Sequence, residues 1–296
     1  MLEYRTAGES HGKGIIALVS GLPAGLAIDF AFIDAELARR QQGPGSGPRM
    51  AIEQDRVEIL SGVRWRMTLG SPIVGLIRNR DYQNWISWMD PEGTIPDGYQ
   101  EITVPRPGHA DLGGMLKYRF RDIRNVIERS SARETAGRCF AGALAKLFLA
   151  SFGVIVGGFV EAVGETAAPP VEDFQTGVSR ASQSTLRTYD PTAEVRMTES
   201  IEQARAAGET LGGVFVVAAF GVMPGLGGYA QASERLDGRI AQAMMSIPAV
   251  KGVEIGDAFR NARVPGSRAH DQIIAQPDRR PLALSRLSSH AGGIEG

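Results

Sequence analysis

The chain has 296 residues, 43% of them hydrophobic, enough for one large domain or two small ones around a substantial core. Its 32 Lys and Arg against 33 Asp and Glu leave a formal net charge of −1, which excludes a protein built mainly to hold nucleic acid or an anionic membrane surface. Any cationic site must therefore be local. The single Cys139 excludes an internal disulfide framework and fits a reducing compartment.

The start, MLEYRTAGESHG, has no positive cluster followed by an apolar run, so no secretory signal is read there. Short apolar runs bounded by glycine predict strands over 14–21, 57–63, 72–77, 153–163 and 212–222. Helical periodicity predicts helices over 31–40, 131–152, 199–207 and 234–246. The most apolar region, 139–160, is broken by Lys146 and several glycines, and reads as core helix plus strand rather than a membrane span. The polar stretch at about 164–197, rich in Ser and Thr, reads as an irregular connection or insertion. Gly21, Gly25 and Leu26 after one strand match Gly221, Gly225 and Leu226 after another, each set followed by a helical pattern, which suggests two similar halves.

Six stretches could carry chemistry. In AGESHGKG, Gly8 and Gly12 bracket Glu9, Ser10 and His11, so that a titratable ring is held in a sharp turn; a plain surface loop fits as well. In RPGHADL, Arg106 precedes a Pro-Gly turn and His109 lies beside Asp111, which could orient or charge its ring; a surface turn is again the bland reading. In RNVIERSSARETAGR, Ser131 and Glu134 have the spacing of a capping box, and Arg129 and Arg133 flank a helix start that could seat an anion. In ARRQQGPGSGPRM, Arg39, Arg40 and Arg49 surround a Gly/Pro loop; they either complement a helix dipole or grip a multiply charged anion. AMMSIPAVKG breaks a helix at Pro248, where backbone could meet a flat ring, and SSHAGGIEG is a Gly-rich turn. No Walker loop, dinucleotide glycine fingerprint, nucleophile elbow or zinc motif is present, and a metal site of His11, Glu9, His109 and Asp111 matches no metal spacing.

Taken together and in order, AGESHG, GLPAGL, LARRQ, DRVEILSGV, RPGHADL, RNVIERSSARETAGR, RLDGRIAQAMMSIPAVKGVEIGDAF and AGGIEG closely resemble the chorismate synthase family over essentially all 296 residues. The resemblance implies an α+β fold in a single domain over 1–296, a β-α-β sandwich with helices between antiparallel sheets, assembled as a homotetramer. It implies a cytoplasmic lyase that eliminates phosphate from 5-enolpyruvylshikimate 3-phosphate in an anti-1,4 sense to give chorismate. Reduced FMN is required, some members reducing it with NADPH and others drawing on an external supply. By motif, the catalytic residues are His11, a general acid near the leaving phosphate, and His109, which sits by the flavin and holds its reduced form in the right protonation state. Arg129, Ser130, Ser131, Pro248, Ala249 and Gly296 contact the flavin. Ser10, Arg40, Arg49, Arg106 and Arg133 hold substrate anions.

Two departures qualify this picture. Ser46 stands where the family usually has an arginine. The family also runs on for several dozen residues beyond the AGGIEG motif, with further flavin contacts, a basic segment and an Asp that relays the C–H proton. The expectation is a chain cut short, with weak FMN binding and slow turnover; a non-catalytic flavin- or anion-binding homologue is the alternative reading.

Overall fold

The computed structural model describes residues 2–43, 52–171, 173–276 and 283–295. The chain divides into two compact units, Met1–Val222 and Met223–Gly296.

In the first unit, β1 (Glu3–Ala7), β2 (Gly14–Ser20), β7 (Ile73–Arg78) and β4 (Val57–Ser61) form an antiparallel sheet in the order β1-β2-β7-β4. Strand β2 alternates strictly enough that Ile15, Ala17 and Val19 all face one side and are buried, as period-two patterning requires. Helices α1 (Phe30–Gln41) and α4 (Thr135–Ala150) cover that side: Ile33 and Leu37 from α1 and Ala136, Phe140, Ala143 and Leu144 from α4 join Ile73 and Ile77 in one core. Asp29 caps α1 by accepting from the Ala31 and Phe32 amides, and Arg39 and Arg40 occupy its last turn. A small sheet of β3 (Ala24–Ala27), β6 (Met67–Leu69) and β5 (Val63–Arg64) lies beside this layer in sequence.

A second antiparallel sheet pairs β10 (Gly213–Phe220), β8 (Ile155–Val163) and β9 (Thr166–Ala167). Helices α5 (Phe174–Ala181) and α6 (Pro191–Ala206) pack on it through Phe159, Ala181, Tyr189, Ala193 and Met197. Both helices start where an irregular connection was expected. Asp173 and Asp190 cap them, and Pro191 at the first position of α6 is already set for a helical turn. Two short helices, α2 (Asp111–Tyr118) and α3 (Arg124–Ser130), had no periodic signal. The expected helix over 131–152 also begins later. Ser131 caps a 3-10 turn, Ala132–Glu134, by accepting from the Arg133 amide, and α4 follows from Thr135. The capping box is only half made, because Glu134 accepts from Thr6 Oγ1 at 2.6 Å and from Arg138 Nε at 2.8 Å instead of reaching back to Ser131.

The second unit holds α7 (Leu236–Met245), the short helices α8 (Ala258–Asn261) and α9 (Gly266–Ala269), and a hairpin of β11 (Ile273–Gln276) and β12 (Ala283–Arg286). The proposed internal likeness has a backbone counterpart: Gly21 and Gly25 have φ of +90° and +81°, and Gly221 and Gly225 have +73° and +94°. The architecture is an α+β fold of helices packed on antiparallel sheets. Among the described residues no helix is long and apolar enough to cross a membrane.

Candidate active site

The 9–12 loop is built by its neighbours. Gly8 has φ +104°, and a Cβ there would lie 2.2 Å from the Gly14 carbonyl oxygen, so only glycine lets the chain leave β1 at this angle. Asn79, 5% exposed at the end of β7, shares its side-chain amide among the carbonyls of Glu9, Ser10 and Gly12 at 3.0, 3.0 and 2.8 Å. From the other side, the Ser10 amide donates to the Glu128 carbonyl at 2.8 Å. The His11 amide donates to Glu128 Oε2 at 2.7 Å, and His11 Nδ1 lies 2.8 Å from Glu128 Oε1.

His11 is therefore fixed rather than loose. Its ring rests on Trp85 with centroids 4.1 Å apart, and Nε2 is 4.0 Å from Asp81 Oδ2. Trp85 in turn donates Nε1–H to Asp81 at 3.2 Å and carries the Arg124 guanidinium 5.0 Å from its centroid. Burial would raise the Glu128 carboxyl, but the hydrogen bonds from the His11 ring and amide, and from Arg124, outweigh it and hold it below the usual carboxylate range.

Beside the loop lies a buried charge network. Arg133, 2% exposed, donates from Nε to Asn79 Oδ1 at 2.7 Å and from Nη1 to Asp55 Oδ1 at 2.6 Å, and its Nη2 is 3.7 Å from Glu53. Arg40 donates to the other oxygen of Asp55 at 3.1 Å and to Thr135 Oγ1 at 2.9 Å. Burial lowers the affinity of Arg40 for its proton, and Asp55 works against that. Ser10, 3% exposed, donates to Ser131 Oγ at 3.0 Å, which ties the loop to the turn before α4. The structure thus brings Ser10, His11, Arg40, Ser131 and Arg133 into one connected set.

Arg129 and Ser130 lie exposed at the end of α3, where Arg129 donates to the Thr6 carbonyl at 2.8 Å and the Gly8 carbonyl at 3.2 Å. Arg106 and His109 lie in the turn before α2. Asp111 does not orient His109. Its carboxylate, 0% exposed, takes Arg106 Nε at 2.8 Å, Nη2 at 3.0 Å and the Arg106 amide at 3.0 Å. A residue two positions from His109 that opens a helix turns inward, and a bidentate guanidinium is the stronger partner. His109 is exposed and its Nδ1 lies 2.9 Å from the Pro107 carbonyl. Pro248 and Ala249 are exposed in the second unit, Ala249 with φ +68°. Arg49, Ser46 and Gly296 lie outside the described residues. Among the described residues no three His, Cys, Asp or Glu side chains gather where they could hold a metal ion.

Sequence reading missed Glu128, Asp55, Asn79 and Trp85. Glu128, Asn79 and Trp85 meet the site across many tens of residues of chain and Asp55 meets Arg40 across 15, and only the NVIERSS run, with its buried Glu128, held a local hint.

Comparison with known proteins shows the family. The family profile for chorismate synthase matches residues 2–296. A chorismate synthase of Symbiobacterium thermophilum is 50% identical over 302 residues, spanning 100% of this chain and 76% of that one. A chorismate synthase of Desulforudis audaxviator is 52% identical over 297 residues, spanning 100% and 75%. A crystal structure of a chorismate synthase superposes with a TM-score of 0.83 at 41% identity, covering 100% of this chain and 80% of that one. The chain belongs to the chorismate synthase family, lyases of the shikimate pathway.

Proposed function

We propose that the chain removes phosphate from 5-enolpyruvylshikimate 3-phosphate by anti-1,4 elimination, giving chorismate, with reduced FMN as cofactor. The observation that carries this reading is His11, an imidazole fixed at 2.8 Å from a buried carboxylate, with its side chain still 18% exposed. A departing phosphate needs a proton and local positive charge, and a positioned imidazole near neutral pH supplies the first.

The substrate carries two carboxylates and a phosphate. Arginine suits such a ligand because it stays charged and grips oxyanions with parallel hydrogen bonds. Arg106, with 45% of its side chain exposed, is open to such a contact. Arg40 and Arg133 are balanced by Asp55 and Glu53, so their part is to hold the floor of the site at near-neutral charge while Ser10 and His11 meet the leaving group.

The residues present fit reduced FMN. Arg129 and Ser130 are exposed donors at the end of α3, and Ala249, exposed with φ +68°, holds a turn in a conformation that L residues rarely take. Within the first unit, Arg129, Ser130 and Ser131 would hold the flavin, with His109 near its ring; when bound, the reduced ring would lend electron density transiently, with no net oxidation. The working form is read as a cytoplasmic homotetramer whose flavin is reduced by NADPH or by an external supply.

The test is anaerobic incubation of the purified chain with substrate and chemically reduced FMN, following phosphate and chorismate together. Equal release of both is expected. Release of neither overturns the reading, and absence of any FMN affinity in a parallel titration would point to a non-catalytic homologue.

A further inference from the structure

Glu128 does more than fill space under the 9–12 loop. Its side chain is 3% exposed, and both oxygens reach His11, Oε1 its ring and Oε2 its amide, with Arg124 sharing Oε1. A carboxylate accepts and cannot donate, so His11 Nδ1 must carry the proton in this pair. The backbone contact fixes where the ring starts, and the side-chain contact fixes how it is turned. Trp85 closes one face of the ring.

We infer that Glu128 is the positioning residue for His11: it selects the Nδ1–H form and leaves Nε2 as the nitrogen that exchanges a proton with the substrate. The inference rests on the reading of His11 as general acid, but the tautomer itself is independent of turnover. The other charged groups facing the ring are Arg124, which donates to Glu128 Oε1 at 3.3 Å, and Asp81, whose Oδ2 lies 4.0 Å from Nε2, beyond hydrogen-bond reach. Arg124 neutralises the buried carboxylate and shares Oε1 with Nδ1, at the longer distance of 3.3 Å against 2.8 Å. A free neutral imidazole favours the Nε2–H form, so the choice made here is the carboxylate's.

The experiment compares wild type, Glu128→Gln and Glu128→Ala, with nitrogen NMR of the His11 ring and steady-state kinetics over pH. Wild type should show Nδ1 protonated throughout, with Nε2 alone titrating. Glu128→Gln has a single oxygen for the two contacts; the His11 amide can only donate and takes it, so the Gln NH2 is left facing Nδ1 and should shift the ring toward Nε2–H. Glu128→Ala should shift the ring toward Nε2–H and lower kcat by about 10- to 100-fold, the range for lost histidine-orienting partners, with little change in KM. A merely structural role would move the unfolding midpoint alone. Should Glu128→Ala fail to fold, Glu128→Gln decides, because it keeps the volume but loses one acceptor: a ring moved toward Nε2–H with kcat below wild type supports the inference, and an Nδ1–H ring with wild-type kcat overturns it. Nε2–H in the wild-type ring, or wild-type kcat in a folded Glu128→Ala, overturns the inference. A wild type that releases no chorismate yet shows the Nδ1–H ring sinks the assigned reaction and leaves the positioning role standing.

Discussion

Asp55 divides its carboxylate between two arginines from different elements, Oδ1 to Arg133 at 2.6 Å and Oδ2 to Arg40 at 3.1 Å. The bond joins the turn before α4 to the end of α1. It also means that both guanidiniums already have an internal counterion.

Breaking such a pair from one side costs more than the pair contributes, because the buried charge left behind has no solvent to turn to. Asp55→Ala should destabilise the chain by about 3–5 kcal/mol. Glu53, 3.7 Å from Arg133, softens the loss only in part. Urea unfolding of wild type and variant measures it, and a difference under about 1 kcal/mol, the size expected of an exposed pair, would contradict the buried network.

Asn79 gives a sharper test of the loop. Its amide nitrogen faces three carbonyl oxygens, and its oxygen takes Arg133 Nε. Asn79→Asp keeps the shape but sets an oxygen against those carbonyls, whereas Asn79→Ala removes the donor and the acceptor for Arg133 without adding a repulsion. The isosteric variant should therefore be the less stable of the two, the reverse of what size predicts. Each lost hydrogen bond is worth about 1 kcal/mol, so Asn79→Ala should cost about 2–4 kcal/mol in all. Thermal unfolding that ranks Asp above Ala would show the amide is turned the other way.

Asp111 sets an acid-side signature. The hydrogen bonds from Arg106 hold its carboxyl below the usual range, against the opposing effect of burial. A group whose folded value is depressed adds stability above its unfolded value, about 3.9, and loses that contribution as pH falls through the folded value. The stability gap between wild type and Asp111→Asn should be flat above about pH 5 and shrink below about pH 4. Urea midpoints at a series of pH values give the curve; a gap that stays constant down to the acid limit would remove the linkage.

How much of this was legible in the sequence depended on range. Strands such as β2 and β10 stood out because apolar runs between glycines carry their own signal. Helix α4 was visible but drawn too early, since Ser131 and Glu134 have capping-box spacing while Glu134 spends its carboxylate on Thr6 and Arg138. Helices α2 and α3 are short, and DLGGMLKY has two glycines and no stripe, so nothing local marked them. His11 was legible as a poised ring in a Gly-bracketed turn. Its partner Glu128 was not, because 117 residues separate them and pairing across that distance is decided by packing. Proximity in sequence misled once: Asp111 stands two residues from His109 and binds Arg106.

The second unit offers a test of the Gly-rich turn. Asp271 accepts from Ser288 Oγ at 2.5 Å and the His290 amide at 2.8 Å with one oxygen, and from the Ala291 amide at 2.9 Å with the other. These bonds, led by Ser288, draw its carboxyl down to about 2. Its folded value is depressed, so the hold on the turn is full above the ordinary carboxylate range and is lost only as pH falls through about 2. The turn also closes on Gly256, at φ +57°, where a Cβ would lie 2.2 Å from the His290 carbonyl oxygen. Gly256→Ala should therefore displace residues 288–292 at every pH, whereas Asp271→Asn should loosen them without a steric push. Amide shifts of His290 and Ala291 follow both effects. In wild type they should show no inflection near pH 4 while the unit stays folded; an inflection there would mean Asp271 is an ordinary surface carboxylate and the turn is held by something else.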